Sequence, residues 1–284
     1  MTGLFGFIAN RSDVGARALS AEAAPVETSR AGEASRWGLG YFHNDEILLR
    51  RRPNDPRSVI PVSQMVEGIQ AGHMIGHFGT AAPATMDTND THPFRYGSWL
   101  FAHTGTIDPS VATRNRYLAA LPGFLRAAIR GETCSELLFN LFLAQLHAQG
   151  NLQRGTAQPS DVRDALRAML AQAEGVADEL GMARPELDVL VAGGQVVVAA
   201  ITSRTMLYRV LLGNHLEDAL GLDGIPRRRA SDWANARVTL FATHVARNAA
   251  AYRSVPARSL LTLTRKDDPV CEPIDDRRFT RVAA

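Results

Sequence analysis

Lysine is almost absent from this chain of 284 residues, since Lys266 is the only lysine among 31 basic residues. The chain is also rich in alanine, and the two biases together indicate a GC-rich bacterial gene rather than a functional adaptation. The net charge is only +2, which predicts no strong attraction to nucleic acid or to a membrane surface. We therefore expect neither as a partner.

Cysteine and long apolar runs are scarce as well. Cys134 and Cys271 are the only cysteines, too few for a disulfide framework or a structural zinc site. The sequence has no charged leader followed by an apolar segment, and no run of about 18 apolar residues. It therefore predicts a soluble, cytoplasmic protein, with no metal and no organic cofactor.

What is present is ordinary globular composition, with 45% hydrophobic and 21% charged residues. The pattern places strands first, then two or three helices, then strands again. Two antiparallel sheets with helices on their outer faces satisfy this order, which is an α+β layered architecture. We expect one domain over residues 1–265, followed by a charged surface tail over 266–284.

Individual elements are predicted from periodicity, caps and turns. Residues 3–9 are predicted as a buried strand because apolar residues follow one another from the start. "GLGYFHNDEILLRR" is predicted as a hairpin that turns at His43 to Asp45. A helix is predicted over 55–72, ending at Gly72, and strands over 73–78 and 97–105 lie on either side of a loop at 82–96. Further helical segments are interrupted at Pro122, one helix begins with a capping box formed by Thr133 and Glu136, and a long helix is capped by Ser160. The last predictions are a hairpin that turns at Gly193 and Gly194 and strands around "TMLYRVLL", "ARVTLFATH" and "RSLLTLTR".

The hydroxyl residue directly before the first strand has chemical potential. Removal of Met1 would leave Thr2 with both a hydroxyl and a free α-amine. Such an amine, with a pKa of about 8, can act as general base for its own side chain. Thr2 is therefore a candidate N-terminal nucleophile, and the alternative is a small residue that only fills space.

Several segments together resemble the class II glutamine amidotransferases, which are N-terminal-nucleophile hydrolases. They are "MTGLFGF", "RWGLGYF", "GHFGTAAPATMDTNDTHPFRYGSWLFAHTG", "GETCSELLF" and "VPARSLLTL". The resemblance is closest to the small stand-alone branch that includes ergothioneine-pathway γ-glutamyl hydrolases, and it covers nearly the whole chain. It implies a four-layer αββα sandwich in which residue 2 faces a pocket.

Four positions depart from what the resemblance implies for a glutamine site. Thr2 stands in place of the cysteine nucleophile, and a hydroxyl is a far weaker nucleophile than a thiol. Gly79 stands in place of the arginine that binds the substrate α-carboxylate, a contact worth roughly 1.5 to 3 kcal/mol. Thr104 replaces the oxyanion-hole asparagine while Gly105 keeps its backbone N–H, and loss of one such donor typically costs about 100 to 1,000-fold in rate. Cys134 replaces the aspartate that pairs with the substrate α-ammonium.

Nucleophile, carboxylate clamp, oxyanion donor and ammonium partner are separate functions directed at one ligand. Their joint replacement predicts that this protein does not hydrolyse glutamine and is a non-catalytic binding module for a small amide ligand or a partner subunit of an active enzyme. One alternative is an amidohydrolase that uses Thr2 on a non-glutamine amide. Another is an ordinary amidotransferase in which Arg36 or Arg95 supplies a missing contact.

Other motifs have a functional and a structural interpretation. A thiol in the first turn of a helix, as expected for Cys134, has a lowered pKa and can be reactive, but a half-buried inert thiol is the preferred interpretation. The arginine runs at 50–52 and 227–229 are short and not interleaved with aromatic residues, so a solvated surface is preferred over an anion or nucleic-acid site.

The histidines could be metal ligands or structural residues. By resemblance, His77 and His103 occupy pocket positions. No carboxylate or thiolate is placed among the histidines at ligand spacing, so a structural role is preferred. The set considered is His73, His77, His92 and His103.

Overall fold

The computed structural model of the chain describes residues 2–22, 35–44, 46–55, 61–79, 87–153, 157–213, 216, 234–243 and 249–275. Its strands are β1 Gly3–Ala9, β2 Ser35–His43, β3 Glu46–Asp55, β4 His73–Gly79, β5 Phe94–Tyr96, β6 Trp99–Thr104, β7 Asp188–Gly193, β8 Val196–Ile201, β9 Met206–Leu212, β10 Arg237–Ala242, β11 Arg253–Val255, β12 Ser259–Thr264 and β13 Val270–Pro273. Its α-helices are α1 Gly15–Glu22, α2 Val62–Met65, α3 Val111–Ala120, α4 Gly123–Arg126, α5 Cys134–Ala148 and α6 Pro159–Glu179.

The strands form two antiparallel sheets. The seven-stranded sheet has the order β11-β9-β10-β1-β4-β2-β3, and the six-stranded sheet has the order β13-β12-β8-β7-β6-β5. An apolar layer that includes Leu4, Ile75, Leu100 and Leu190 lies between them. Helices α1 and α2 cover the outer face of the larger sheet, and α3 to α6 cover that of the smaller sheet. The architecture is the four-layer αββα sandwich of N-terminal-nucleophile hydrolases.

The first strand is central, which explains its uninterrupted apolar sequence. β1 is hydrogen-bonded to β10 on one side and to β4 on the other. Phe5 and Phe7 face the helices, whereas Leu4 and Ile8 face the second sheet. Because both faces of the sheet are covered, all seven residues of β1 are buried, and the strand needs no alternation of apolar and polar residues.

Several predicted elements are confirmed. The hairpin of β2 and β3 includes Asn44 with φ of 54° in its turn. Pro122 separates α3 from α4, and the hydroxyl of Thr133 caps α5 by accepting a hydrogen bond from the N–H of Glu136. The strands predicted around "TMLYRVLL", "ARVTLFATH" and "RSLLTLTR" are β9, β10 and β12.

Other predicted boundaries are wrong. The described helix within 55–72 is only α2, because the chain turns at Gly68, where φ is 72°. The N-cap of α6 is Gln158 rather than Ser160. The β7–β8 turn is one residue later than predicted, after Gly193.

Three short edge strands were not predicted. β5 lies within the predicted loop at 82–96, β11 pairs with β9 at the edge of the larger sheet, and β13 lies within the predicted tail and pairs with β12. Each has three or four residues, too few to give a periodicity signal. Within the described ranges, no helix is long and apolar enough to cross a lipid bilayer.

Candidate active site

The candidate site lies where β1 begins, beside β4. Thr2 directly precedes β1, and the register that pairs Gly3 with Phe78 places Thr2 beside Gly79. A Cβ atom on residue 79 would lie only 2.6 Å from Cγ2 of Thr2 and 3.3 Å from its Cβ atom. Carbon atoms in contact are normally about 3.5 to 4.0 Å apart. The methyl group of Thr2 therefore occupies the space in which a side chain at position 79 would begin.

Polar contacts from the second sheet fix Thr2. The hydroxyl of Thr104 donates a hydrogen bond of 2.7 Å to Oγ1 of Thr2. Nη1 of Arg204 donates a hydrogen bond of 2.9 Å to the backbone carbonyl of Thr2. Nε of Arg204 is 3.9 Å from Oδ2 of Asp188, whose side chain is fully buried. Two predicted site residues, Thr2 and Thr104, are thus in direct contact, and the supporting arginine was not predicted.

Gly105 follows Thr104 at the end of β6, as the resemblance implies. Its φ is 133°, and a Cβ atom at this position would be 1.9 Å from the carbonyl oxygen of Glu186. The next residue, Thr106, exchanges two backbone hydrogen bonds with Glu186. The backbone therefore requires glycine at position 105 whether or not its N–H serves in catalysis.

Cys134 is the first residue of α5 and lies half-buried. Burial raises the pKa of its thiol, and the positive charge of Arg114 opposes this effect only in part. Sγ lies 3.9 Å from the carbonyl oxygen of Asp108. The alternative of a reactive thiol with a lowered pKa is therefore not supported.

The first turn of α5 is held by a carboxylate that does not complete the predicted capping box. Glu136 accepts hydrogen bonds from the N–H groups of Arg130 and Gly131, at 2.9 and 2.7 Å. Ser135, in the same turn, lies 3.0 Å from Nδ1 of His103 through its hydroxyl oxygen. This contact joins the start of α5 to β6, and it thereby positions Cys134 relative to Thr104.

Three buried histidines have neighbouring rings: His77, His92 and His103. The rings of His77 and His92 are 4.4 Å apart, and those of His92 and His103 are 6.3 Å apart. Burial lowers the pKa of His77 to about 3, that of His103 to about 4, and that of His92 well below its usual value. All three are therefore neutral at pH 7. His73 lies at the other end of β4, where it stacks on Phe42.

Two half-buried arginines lie beside these histidines. Burial lowers the pKa values of Arg36 and Arg51, against the attraction of Asp90 and Glu136 respectively. Nη1 of Arg51 donates a hydrogen bond of 3.1 Å to the carbonyl of Thr88. The prediction of a solvated run at 50–52 is therefore wrong for Arg51, and the run at 227–229 lies outside the described residues.

The remaining predicted candidates lie elsewhere or do not form a site. Arg95 donates a hydrogen bond of 2.9 Å to the carbonyl of Ile47 and is exposed. No three histidine, cysteine or acidic residues of the described segments are placed to hold a metal ion. A groove of about 740 Å³ between α1 and α2 contains none of the predicted site residues.

Several solved structures have a fold similar to that of this chain. The chain is similar to a glutamine aminotransferase class-II domain protein from Silicibacter pomeroyi, with 16% identity, a TM-score of 0.57, and coverage of 96% of this chain and 99% of that one. It is also similar to a predicted glutamine amidotransferase from Pseudomonas aeruginosa, with 15% identity, a TM-score of 0.57, and coverage of 94% and 97%. A third structure, the allosteric regulatory enzyme of purine biosynthesis, has 12% identity and a TM-score of 0.58, and the match covers 96% of this chain and 49% of that one.

These identities establish the fold alone. No curated protein matches the sequence significantly. A model of the family described as glutamine amidotransferases class-II matches residues 8–264, a segment that begins after Thr2. Since this match covers most of the chain, the protein belongs to the class II glutamine amidotransferase family.

Proposed function

We propose that this protein is a class II amidotransferase-type domain that has lost glutaminase activity and acts as a non-catalytic binding module. The contact between Thr2 and Gly79 carries the proposal. The methyl group of Thr2 occupies the space of a side chain at position 79, so an arginine clamp and Thr2 are sterically incompatible in this arrangement. The two replacements form one rebuilt surface rather than two separate losses.

The state of the other replaced positions supports the same conclusion. The Thr2 hydroxyl oxygen accepts a hydrogen bond from Thr104, and an oxygen that accepts such a bond is less available as a nucleophile. The raised pKa of Cys134 keeps its thiol neutral, so it does not offer the negative charge that an α-ammonium group requires. Glutamine therefore lacks partners for both its charged ends at positions 79 and 134.

One alternative retains catalysis. Thr2 keeps a hydroxyl at a half-exposed position, in contact with the residue that replaces the oxyanion-hole asparagine. An N-terminal threonine with a free α-amine can act as a nucleophile, and an amide substrate without α-amino and α-carboxylate groups would not need the lost partners. Assembly with an active enzyme is a further role open to a non-catalytic domain.

The decisive experiment measures glutamine hydrolysis by the purified protein. We expect no turnover by the wild type or by Thr2→Cys alone, because the thiol would still lack its substrate partners. The combined variant Thr2→Cys, Gly79→Arg, Thr104→Asn and Cys134→Asp should bind glutamine more tightly than Thr2→Cys does.

Thr2→Val is the matched control, since it keeps the branched shape of threonine and removes the hydroxyl. Turnover of glutamine or of another amide by the wild type, lost in Thr2→Val, would refute the non-catalytic role and establish Thr2 as the nucleophile. Full glutaminase activity of Thr2→Cys alone would show that the carboxylate clamp is not missing.

A further inference from the structure

The guanidinium group of Arg36 is half-buried and has a free edge. Its Nε and Nη2 atoms are buried, and neither has a hydrogen-bond partner among the residues that the structure describes. These two nitrogens share one edge of the planar guanidinium group. This edge can bind a carboxylate or phosphate through two parallel hydrogen bonds. Arginine cannot lose its charge in a protein, so this edge requires a partner.

The position of Arg36 relates this edge to Thr2. Arg36 in β2 lies opposite Gly79 in β4, and Thr2 lies on the other side of Gly79. With neighbouring strands about 4.8 Å apart, the Cα atoms of Arg36 and Thr2 are about 10 Å apart. Gly79 is the residue between them in the sheet and has no side chain, and the methyl group of Thr2 lies against it.

The groups around Arg36 are also rich in unsatisfied nitrogens. His77 pairs with Gly38, two residues along β2 from Arg36, and His92 lies over Gly38, with its carbonyl oxygen 2.0 Å from where a Cβ atom would be. Within the described ranges, Nδ1 of His77 and both ring nitrogens of His92 are buried without hydrogen-bond partners. The nearby positive charge of Arg36 lowers the pKa values of both histidines further, after burial.

The carboxylate that attracts Arg36 is hydrogen-bonded to another part of the chain. Asp90 attracts Arg36 electrostatically, but its Oδ1 atom accepts a hydrogen bond of 2.7 Å from the N–H of Glu132. Buried polar groups are nearly always hydrogen-bonded, to protein, water or ligand. The two free N–H donors of the Arg36 cation are matched by an anion and oppose a metal ion, and each neutral histidine can add one N–H donor of its own.

We propose that Arg36, His77 and His92 form an oxyanion-binding site that takes the carboxylate or phosphoryl group of a small ligand, whose remainder extends towards Thr2. This inference rests on the proposed binding function and deepens it, because it names the chemical class of the ligand. The site uses an arginine on β2, two strands away from Thr2.

The test uses isotope-labelled protein and two probes, sodium acetate and sodium phosphate, with sodium chloride at equal ionic strength as the reference. NMR follows the arginine Nε–H signals, and the unfolding midpoint is measured in the same solutions. We expect one or both oxyanions to shift the Arg36 signal and to raise the midpoint more than chloride does. The acetate and phosphate titrations together tell which oxyanion the site prefers.

Arg36→Gln removes the charge and the double hydrogen bond, and should weaken oxyanion binding about tenfold or more. Arg36→Lys keeps the charge without the planar fork and should bind with intermediate affinity. Arg126→Gln, a matched change at an exposed arginine at the end of α4, should bind like the wild type. Without oxyanion, the unfolding midpoint of Arg36→Gln should equal or exceed that of the wild type, because a half-buried cation with two unpaired nitrogens is removed.

Oxyanion binding by Arg36→Gln that is as tight as in the wild type would overturn the inference, as would the lack of any oxyanion-specific effect on the wild type. Glutamine hydrolysis is measured on the same preparations. Turnover by the wild type would refute the proposed function but not a demonstrated effect of Arg36→Gln on oxyanion binding. No turnover together with unchanged binding in Arg36→Gln would refute the oxyanion site alone.

Discussion

The effect of Gly79→Ala should depend on residue 2, because the two positions compete for the same space. The new methyl group would lie 2.6 Å from Cγ2 of Thr2, about 1 Å closer than an ordinary carbon contact. Overpacking of this kind costs about 1 to 3 kcal/mol. Thr2 cannot move away freely, because Thr104 and Arg204 hold its hydroxyl and its carbonyl.

The same substitution should behave differently when residue 2 is serine. Thr2→Ser removes Cγ2, so the closest atoms to the new methyl group become the Cβ atom of residue 2 at 3.3 Å and Cε1 of His77 at 3.4 Å. These contacts are tight but need only small shifts. Gly79 has no positive φ, so alanine fits its backbone, and it stabilises by about 0.4 to 1 kcal/mol through the unfolded chain. In this background Gly79→Ala should be neutral or slightly stabilising.

A double-mutant cycle in urea measures this coupling. The free energies of unfolding of the wild type, Thr2→Ser, Gly79→Ala and the double variant should give an interaction energy of about 1 to 3 kcal/mol. A matched control replaces Thr113, a buried threonine in α3, by serine in combination with Gly79→Ala, and should show no interaction. If the effects of Thr2→Ser and Gly79→Ala add within about 0.5 kcal/mol, the steric argument on which the proposed function depends is wrong.

Three further outcomes are expected. The pKa of His77 is about 3 in the folded protein and about 6.5 in the unfolded chain. The unfolded state therefore binds more protons below about pH 6.5, and the free energy of unfolding should fall as the pH is lowered towards 4. His77→Gln should flatten that fall by up to a few kcal/mol in urea titrations across this pH range, and an equally steep fall would show that other groups cause it. With a thiol reagent whose reaction is followed by absorbance at pH 8, the exposed Cys271 should react at least several times faster than Cys134. The variants Cys134→Ser and Cys271→Ser assign the two kinetic phases. A faster reaction of Cys134 would contradict the raised pKa of its thiol. Gly105→Ala should destabilise by several kcal/mol or prevent folding, since φ is 133° and Glu186 blocks the Cβ atom, and a wild-type unfolding midpoint would refute this.

The sequence predicted the framework of this site better than its contents. The strand that follows Thr2 and the cap at Thr133 were predictable because each follows from local chemistry, an apolar run and an N-cap. Gly105 was predicted only from the family resemblance. The resemblance also predicted which positions face the site. Thr2 and Thr104 were predicted as separate departures from a family pattern, and the structure shows them in contact.

Arg204 was not identified as a site residue from the sequence, and Arg36 was named only as one alternative source of a missing substrate contact. In a chain where nearly every basic residue is arginine, an arginine beside a strand carries little information. Arg36 becomes distinctive only because the β2–β4 register places it across from a glycine, and Arg204 only because the β8–β9 turn lies near the start of β1. Pairing between distant strands determines both facts, and no local pattern encodes it.

The central position of β1 also constrains how the chain acquires its fold. Phe5 pairs with Ala242 on one side and with Gly76 on the other, so the first strand gains its second neighbour only after most of the polypeptide exists. At synthesis rates of about 5 to 20 residues per second, this delay on a ribosome is on the order of 10 to 50 s. Throughout that time an apolar strand has one unpaired edge, which is a template for unwanted intermolecular pairing. High contact order of this kind slows folding, so the yield of native protein should depend on chaperones and on temperature more strongly than its final stability would suggest.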